Sequence, residues 1–186
     1  MLQPTADNVA ILFLDLQAQI IPHATTVPGE RLRRTAGVLA KLAALHRLPA
    51  FLSCVPSGGD FLAEVLAPLG RPTPRPRTQT SAFADTDLVS ALSASGRRVL
   101  VLSGVASEIV VQRTALAALA AGYGVMLAVD ACGGIDARTE DAAWRRIGAA
   151  GGVTTSVTTL AAELAGDFTR EPGPSTLALM YESMGG

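Results

Sequence analysis

The sequence is poor in the residues that most often announce a chemistry. It holds two cysteines (Cys54, Cys132), two histidines (His23, His46) and one lysine (Lys41). Two cysteines are too few for a disulfide framework. The histidines stand far apart, with no D-x-H or H-x-x-x-H spacing, so no metal site is expected. The G-x-S-x-G, G-x-G-x-x-G and P-loop patterns are all missing. Serine α/β-hydrolases, dinucleotide folds and P-loop NTPases are thereby excluded, and no cofactor is expected.

Charge of one sign is lacking too. Fifteen basic residues face sixteen acidic ones, for a net charge of -1. That balance leaves no footprint for nucleic acid or anionic lipid. The longest apolar stretch that suggests a span, Thr114 to Val129, is uncharged but interrupted by Gly122, Tyr123 and Gly124. It is also shorter than the roughly 20 residues a membrane span needs. No signal-peptide pattern opens the chain, so a cytoplasmic location is the expectation.

What is present is aliphatic. Hydrophobic residues make up 49% of the 186 residues and aromatics 4%, so the core must be built from Ala, Val and Leu. The length suits one domain. Val9–Leu14 is a continuous apolar run ending in Asp15, the pattern of a strand buried on both faces. Further strands are expected at Ala50–Val55, near Arg77–Thr80, and at Val99–Ser103, Val125–Val129 and Gly152–Thr155. Helices are expected at about Glu30–Arg47, Asp85–Ser95, Glu108–Ala121, Arg138–Ala150 and Ser156–Leu164. The proline-rich PLGRPTPRP at Pro68–Pro76 reads as an ordered loop. This alternation implies βαβ units and an open parallel sheet covered by helices on both faces. Residues 1–165 form the domain. Residues 166–186 read as an appendage whose short helix serves either as an oligomer contact or as packing on its own domain.

Ligands in open α/β sheets bind beyond the carboxyl ends of the strands. That rule selects Asp15 and Gln17, Cys54, Arg77 to Phe83, Gly104 to Val110, and Asp130 to Gly134. Asp15 follows an apolar strand, where burial penalises a carboxylate unless donors hold it. It reads either as a general acid or base or as a cap. Cys54 and Cys132 read as small buried hydrophobes rather than nucleophiles. Trp144, in an amphipathic helix, reads as packing.

Four segments then agree in order and spacing: DLQ at Asp15–Gln17, SAF at Ser81–Phe83, the stretch from Gly104 to Thr114, and VDACGG at Val129–Gly134. Together they resemble the isochorismatase-like cysteine hydrolases, in particular the YcaC-related bacterial group. The resemblance implies a Rossmann-like three-layer α/β/α fold with six strands in the order 3-2-1-4-5-6. It also implies a non-proline cis peptide before the helix expected at Glu108–Ala121, and a homo-oligomer.

The family's catalytic set is an aspartate, a lysine and a cysteine. Asp15 matches the aspartate. The lysine position falls on Arg77, or on Arg75 if the proline-rich loop shifts the register. The cysteine position falls on Val110, whose isopropyl group cannot attack a carbonyl. By the same resemblance Gln17, Phe83, Ala106, Ser107 and Val110 are substrate-binding positions, with amides near Ala106 and Val110 stabilising an oxyanion. Two functions follow. One is a hydrolase of C–N or vinyl-ether bonds in a small molecule, with Asp15 as acid or base and water as the attacking group. The other is a pseudoenzyme that binds a ligand or serves as an oligomeric scaffold.

Overall fold

A computed structural model describes residues 3–185. Six strands form one sheet, β1 (Val9–Leu14), β2 (Ala50–Cys54), β3 (Arg75–Pro76), β4 (Val99–Val105), β5 (Gly124–Gly133) and β6 (Val153–Thr155). Their order is β3-β2-β1-β4-β5-β6, and every neighbouring pair is parallel. The order is the one the resemblance implies.

The period of a strand divides the core in two. Val9, Ile11 and Phe13 of β1 face a cluster that includes α1 (Gly29–Leu45), the single turn α2 (Ala63–Leu66) and α6 (Val157–Ala165). Ala10, Leu12 and Leu14 face a second cluster with α3 (Thr86–Ala94), α4 (Gln112–Ala120) and α5 (Ala137–Ala149). All six β1 side chains are fully buried, which is why the strand reads as an unbroken apolar run.

Helix starts follow their caps. Asp85 accepts from the Asp87 and Leu88 amides, Asp136 from Arg138 and Ser156 from Thr159, each satisfying a free first-turn donor. The last helix, α7 (Gly173–Met184), lies on the first cluster through Leu179 and Met180. It is tied there by hydrogen bonds from His46 to Thr176 (2.8 Å) and between Thr158 and Ser183 (2.7 Å), and by the Lys41–Glu182 ion pair. It packs on its own domain and leaves Tyr181 and Met184 exposed.

Four elements differ from the expected ones, the first being the single turn α2, which falls where no element was expected. The short third strand falls at Arg75–Pro76, inside the proline-rich text, not near Arg77–Thr80. It is an edge strand pairing only with Ser53 and Cys54, a place where a proline without an N–H is tolerated. The fifth strand runs past Val129 to Gly133, because pairing with β4 resumes after an irregularity, with the Ser103 hydroxyl donating to the Ala131 carbonyl at 2.6 Å. The fourth helix opens with a π-helical turn at Ser107–Val111.

Candidate active site

The carboxyl ends of β1, β2 and β4 converge on one polar pair. Asp15 ends β1 with φ 52°, a left-handed conformation uncommon for a residue with a side chain and found disproportionately at functional sites. The Ser53 carbonyl on β2 receives its amide at 3.0 Å. Its carboxylate is then met by Arg77, which leaves the sheet just after β3. Nη1 donates to Oδ1 at 2.7 Å and Nη2 to Oδ2 at 2.5 Å, with a further bond from Nη1 to the Ser53 hydroxyl at 3.2 Å. The side chains are 7% and 2% exposed respectively, so this is a buried, two-pronged ion pair. Removing one partner of such a pair strands the other charge. Arg77 Nε is buried too, and among the described residues it finds no acceptor. An unmet buried donor costs about 1–3 kcal/mol.

Arg75 does not compete for Asp15. It reaches Asp85 at 3.0 Å and Asp87 at 3.2 Å at the start of α3, and its guanidinium holds the Asp85 carboxyl below the usual carboxylate range.

On the opposite side, β4 reaches β1 so closely at Gly104 that a β-carbon there would lie 2.3 Å from the Leu14 carbonyl oxygen. Only glycine fits. The next peptide, Val105–Ala106, is cis, as the resemblance implies, and the π-helical turn follows with Val110 in its midst. Such turns occur often at functional sites. The amides of Ile109 and Val111 both donate to the Ala106 carbonyl, at 3.1 and 3.3 Å.

Between these two sides lies a cavity of about 310 Å³. Asp15 and Arg77 line it together with Ala106 and Val110, so four of the positions singled out in the sequence share one space. Its remaining wall comes from loops after the strands: Ile20 and His23, Val55, Thr78 to Thr80, and Ile109 and Ile135 beside Val105. The sequence reading missed His23 as a wall residue because it weighed the histidines only as metal ligands. Ile135 lies one residue beyond the VDACGG segment at which that reading stopped.

Gln17, Phe83 and Ser107 do not line the cavity. The Gln17 amide is spent on the 55–59 loop, donating to the Val55 and Gly59 carbonyls and accepting from the Val55 amide. Gly58 presses against it, and a β-carbon there would lie 2.4 Å from the Gln17 side chain. Phe83 stands edge-on to Tyr123 at a centroid distance of 5.8 Å, in the second cluster. Ser107 is fully buried and donates to Glu140 at 2.6 Å.

Neither cysteine lines the cavity either. Burial, and then the charge of Asp15, push the Cys54 thiol up, away from the reactive thiolate. Burial raises Cys132 further, and its thiol donates weakly to the Leu102 carbonyl. Trp144 packs on the second cluster. Among the described residues no three His, Cys, Asp or Glu side chains gather as a metal site would require, and no helix is long and apolar enough to cross a membrane.

A six-stranded parallel α/β/α sheet with a buried carboxylate at the first strand end, and a cis peptide leading into a helix beside it, defines a recognisable class. The Isochorismatase domain family model matches residues 9–159, and the chain belongs to that family. Among individual relatives, it is 28% identical over 151 residues to the probable hydrolase YcaC of Escherichia coli (strain K12), covering 78% of this chain and 72% of that protein. The crystal structure of the Escherichia coli YcaC gene product, described as an octameric hydrolase of unknown specificity, superposes with a TM-score of 0.91 at 24% identity, over 98% of this chain and 91% of that one. YcaC from Pseudomonas aeruginosa, solved with hexane-2,5-diol and covalent acrylamide, gives 0.86 at 25% identity, over 99% and 98%.

Proposed function

We propose that the chain is a hydrolase of small molecules in which water takes the place of the family's thiol and Asp15 moves the proton. The observation that carries this reading is the buried Asp15–Arg77 pair on a cavity whose opposite wall, at Val110, offers only methyl groups. On a C–N bond, the water oxygen bonds to the carbonyl carbon and its proton passes to an Asp15 oxygen. The C–N bond then breaks, and that proton leaves on the nitrogen. Arg77 keeps its charge throughout and serves to hold the carboxylate, since a guanidinium does not exchange protons. On a vinyl ether, a protonated Asp15 would instead give its proton to the outer vinyl carbon. Water would add to the resulting oxocarbenium carbon and return a proton to Asp15, and the hemiketal C–O bond would break to release an alcohol and a carbonyl product.

A second reading, a ligand-binding pseudoenzyme or oligomeric scaffold, is favoured by one specific observation: both Asp15 oxygens already accept from Arg77, so neither stands free toward the cavity to receive a proton from water. The experiment that separates the two is a screen of amides, esters and vinyl ethers with the parent and Asp15→Asn. Turnover lost in the variant supports the hydrolase. Ligand binding without turnover supports the pseudoenzyme.

We further infer a cytoplasmic homo-oligomer. The unpaired cysteines suit a reducing compartment, and the Escherichia coli relative is described as octameric. Light scattering on the eluting protein should give a mass several times that of one chain, and a monomer would refute this.

A further inference from the structure

The character of the cavity narrows the ligand, and this inference rests on the small-molecule reading above. We propose that the site takes an uncharged, non-aromatic molecule with a branched alkyl body and a small polar head that meets the Thr78–Thr80 rim.

Charge is the first argument. Asp15, Arg77 and His23 are the ionisable groups on the wall, and the first two neutralise each other with both guanidinium Nη atoms already donating to the carboxylate. His23 is exposed. A ligand carboxylate entering beside the pair would meet Asp15 with no free cationic fork to hold it. A ligand ammonium would meet Arg77. Either would shed its hydration shell for no counter-ion.

Shape is the second. The apolar wall consists of Ile20, Val55, Val105, Ile109, Val110 and Ile135, all β-branched, apart from the small Ala106. No Phe, Tyr or Trp lines the cavity among the described residues, and Phe83, from the SAF motif, is committed to an edge-on contact with Tyr123. Methyl-studded walls match the outline of a branched alkyl group and give a flat ring no face to stack on. At about 310 Å³ the space suits a small ligand.

The third is the rim. Thr78, Gln79 and Thr80 line the cavity directly after Arg77 and offer uncharged donors and acceptors to a neutral carbonyl or hydroxyl head group.

The test is binding, independent of turnover. Isovaleramide, isovalerate and benzamide are titrated into the full chain labelled at Ile and Val methyls, with affinities from the shift changes. Isovaleramide is expected to move the methyls of Ile109, Val110 and Ile135 and to bind at least about tenfold more tightly than either competitor. Ile109→Asp tests the apolar wall. Ile109 is 45% exposed, so the fold should persist while isovaleramide affinity falls at least about tenfold. The proposal is overturned if isovalerate or benzamide binds as tightly as isovaleramide, or if isovaleramide moves none of these methyls. Binding of isovaleramide without hydrolysis of any amide, ester or vinyl ether would sink the hydrolase reading and leave this one standing. Turnover of aromatic or anionic substrates would do the reverse.

Discussion

The two sides of the cavity make a useful contrast. At the Asp15–Arg77 side, specific side chains carry the arrangement: a left-handed aspartate, a two-pronged guanidinium and a serine hydroxyl, all buried. At the Val105–Val110 side, the backbone carries it, through a close glycine contact, a cis peptide and a π-helical turn, while the side chains are aliphatic. The cis peptide that the resemblance implies is therefore present beside an aliphatic Val110. A fold-level match does not say whether a thiol stands there.

If the contrast is sound, mutations on the two sides should differ in cost. Asp15→Ala or Arg77→Ala leaves a charge buried and unpaired, and should cost about 3–5 kcal/mol in urea unfolding. Val110→Ala removes methyl groups at a wall and should cost only about 1–2 kcal/mol. Equal costs would break the contrast. The double change Asp15→Leu with Arg77→Met should recover most of the loss, because replacing both charges with apolar groups removes the desolvation penalty.

A chemical test comes next in size. Val110→Cys should restore a thiol at the helix start and give one added acrylamide adduct by intact mass. The parent, whose Cys54 and Cys132 are both raised in pKa by burial, should stay largely unlabelled. Failure of the variant to react would mean that Val110 does not occupy the nucleophile's place.

The smallest effect lies away from the cavity and serves as its control. Burial lowers the pKa of His46 below its ordinary 6.5. Thr176 donates to the Pro172 carbonyl at 2.7 Å, so it receives the His46 Nε2–H. Between the lowered folded value and 6.5, the unfolded chain binds more protons, so stability is full above about 6.5 and declines as pH falls through that window. His46→Gln should flatten this slope in melting temperature against pH while leaving ligand binding unchanged. A slope untouched by the substitution would contradict the assignment.

How much of this was legible beforehand depends on what each residue's role requires. The sheet was readable because a strand buried on both faces must be apolar throughout, and Val9–Leu14, Val99–Ser103 and Val125–Val129 are. β3 was not, since two residues at an edge leave no period to detect. Asp15, Ala106, Val110 and one of two arginines were readable as strand-end and helix-start positions. Which arginine faces Asp15 was not, although Asp85 and Asp87, the partners of Arg75, were the available signal. Gln17, Phe83 and Ser107 were expected from the motifs to face a substrate, but their side chains turn to the 55–59 loop, Tyr123 and Glu140. Spacing positions a backbone and leaves open which way a side chain turns. The bond from His46 to Thr176, across 130 residues, leaves no local trace.

The central claim is that any catalysis here runs through Asp15 and water, with no thiol. It is tested most directly by the hydrolysis rate of the best substrate from the amide, ester and vinyl-ether screen, measured before and after exhaustive iodoacetamide treatment and again with Asp15→Asn. The account predicts an unchanged rate after alkylation and a fall of at least about 100-fold in the variant. A rate abolished by alkylation, or one that survives Asp15→Asn, would contradict it.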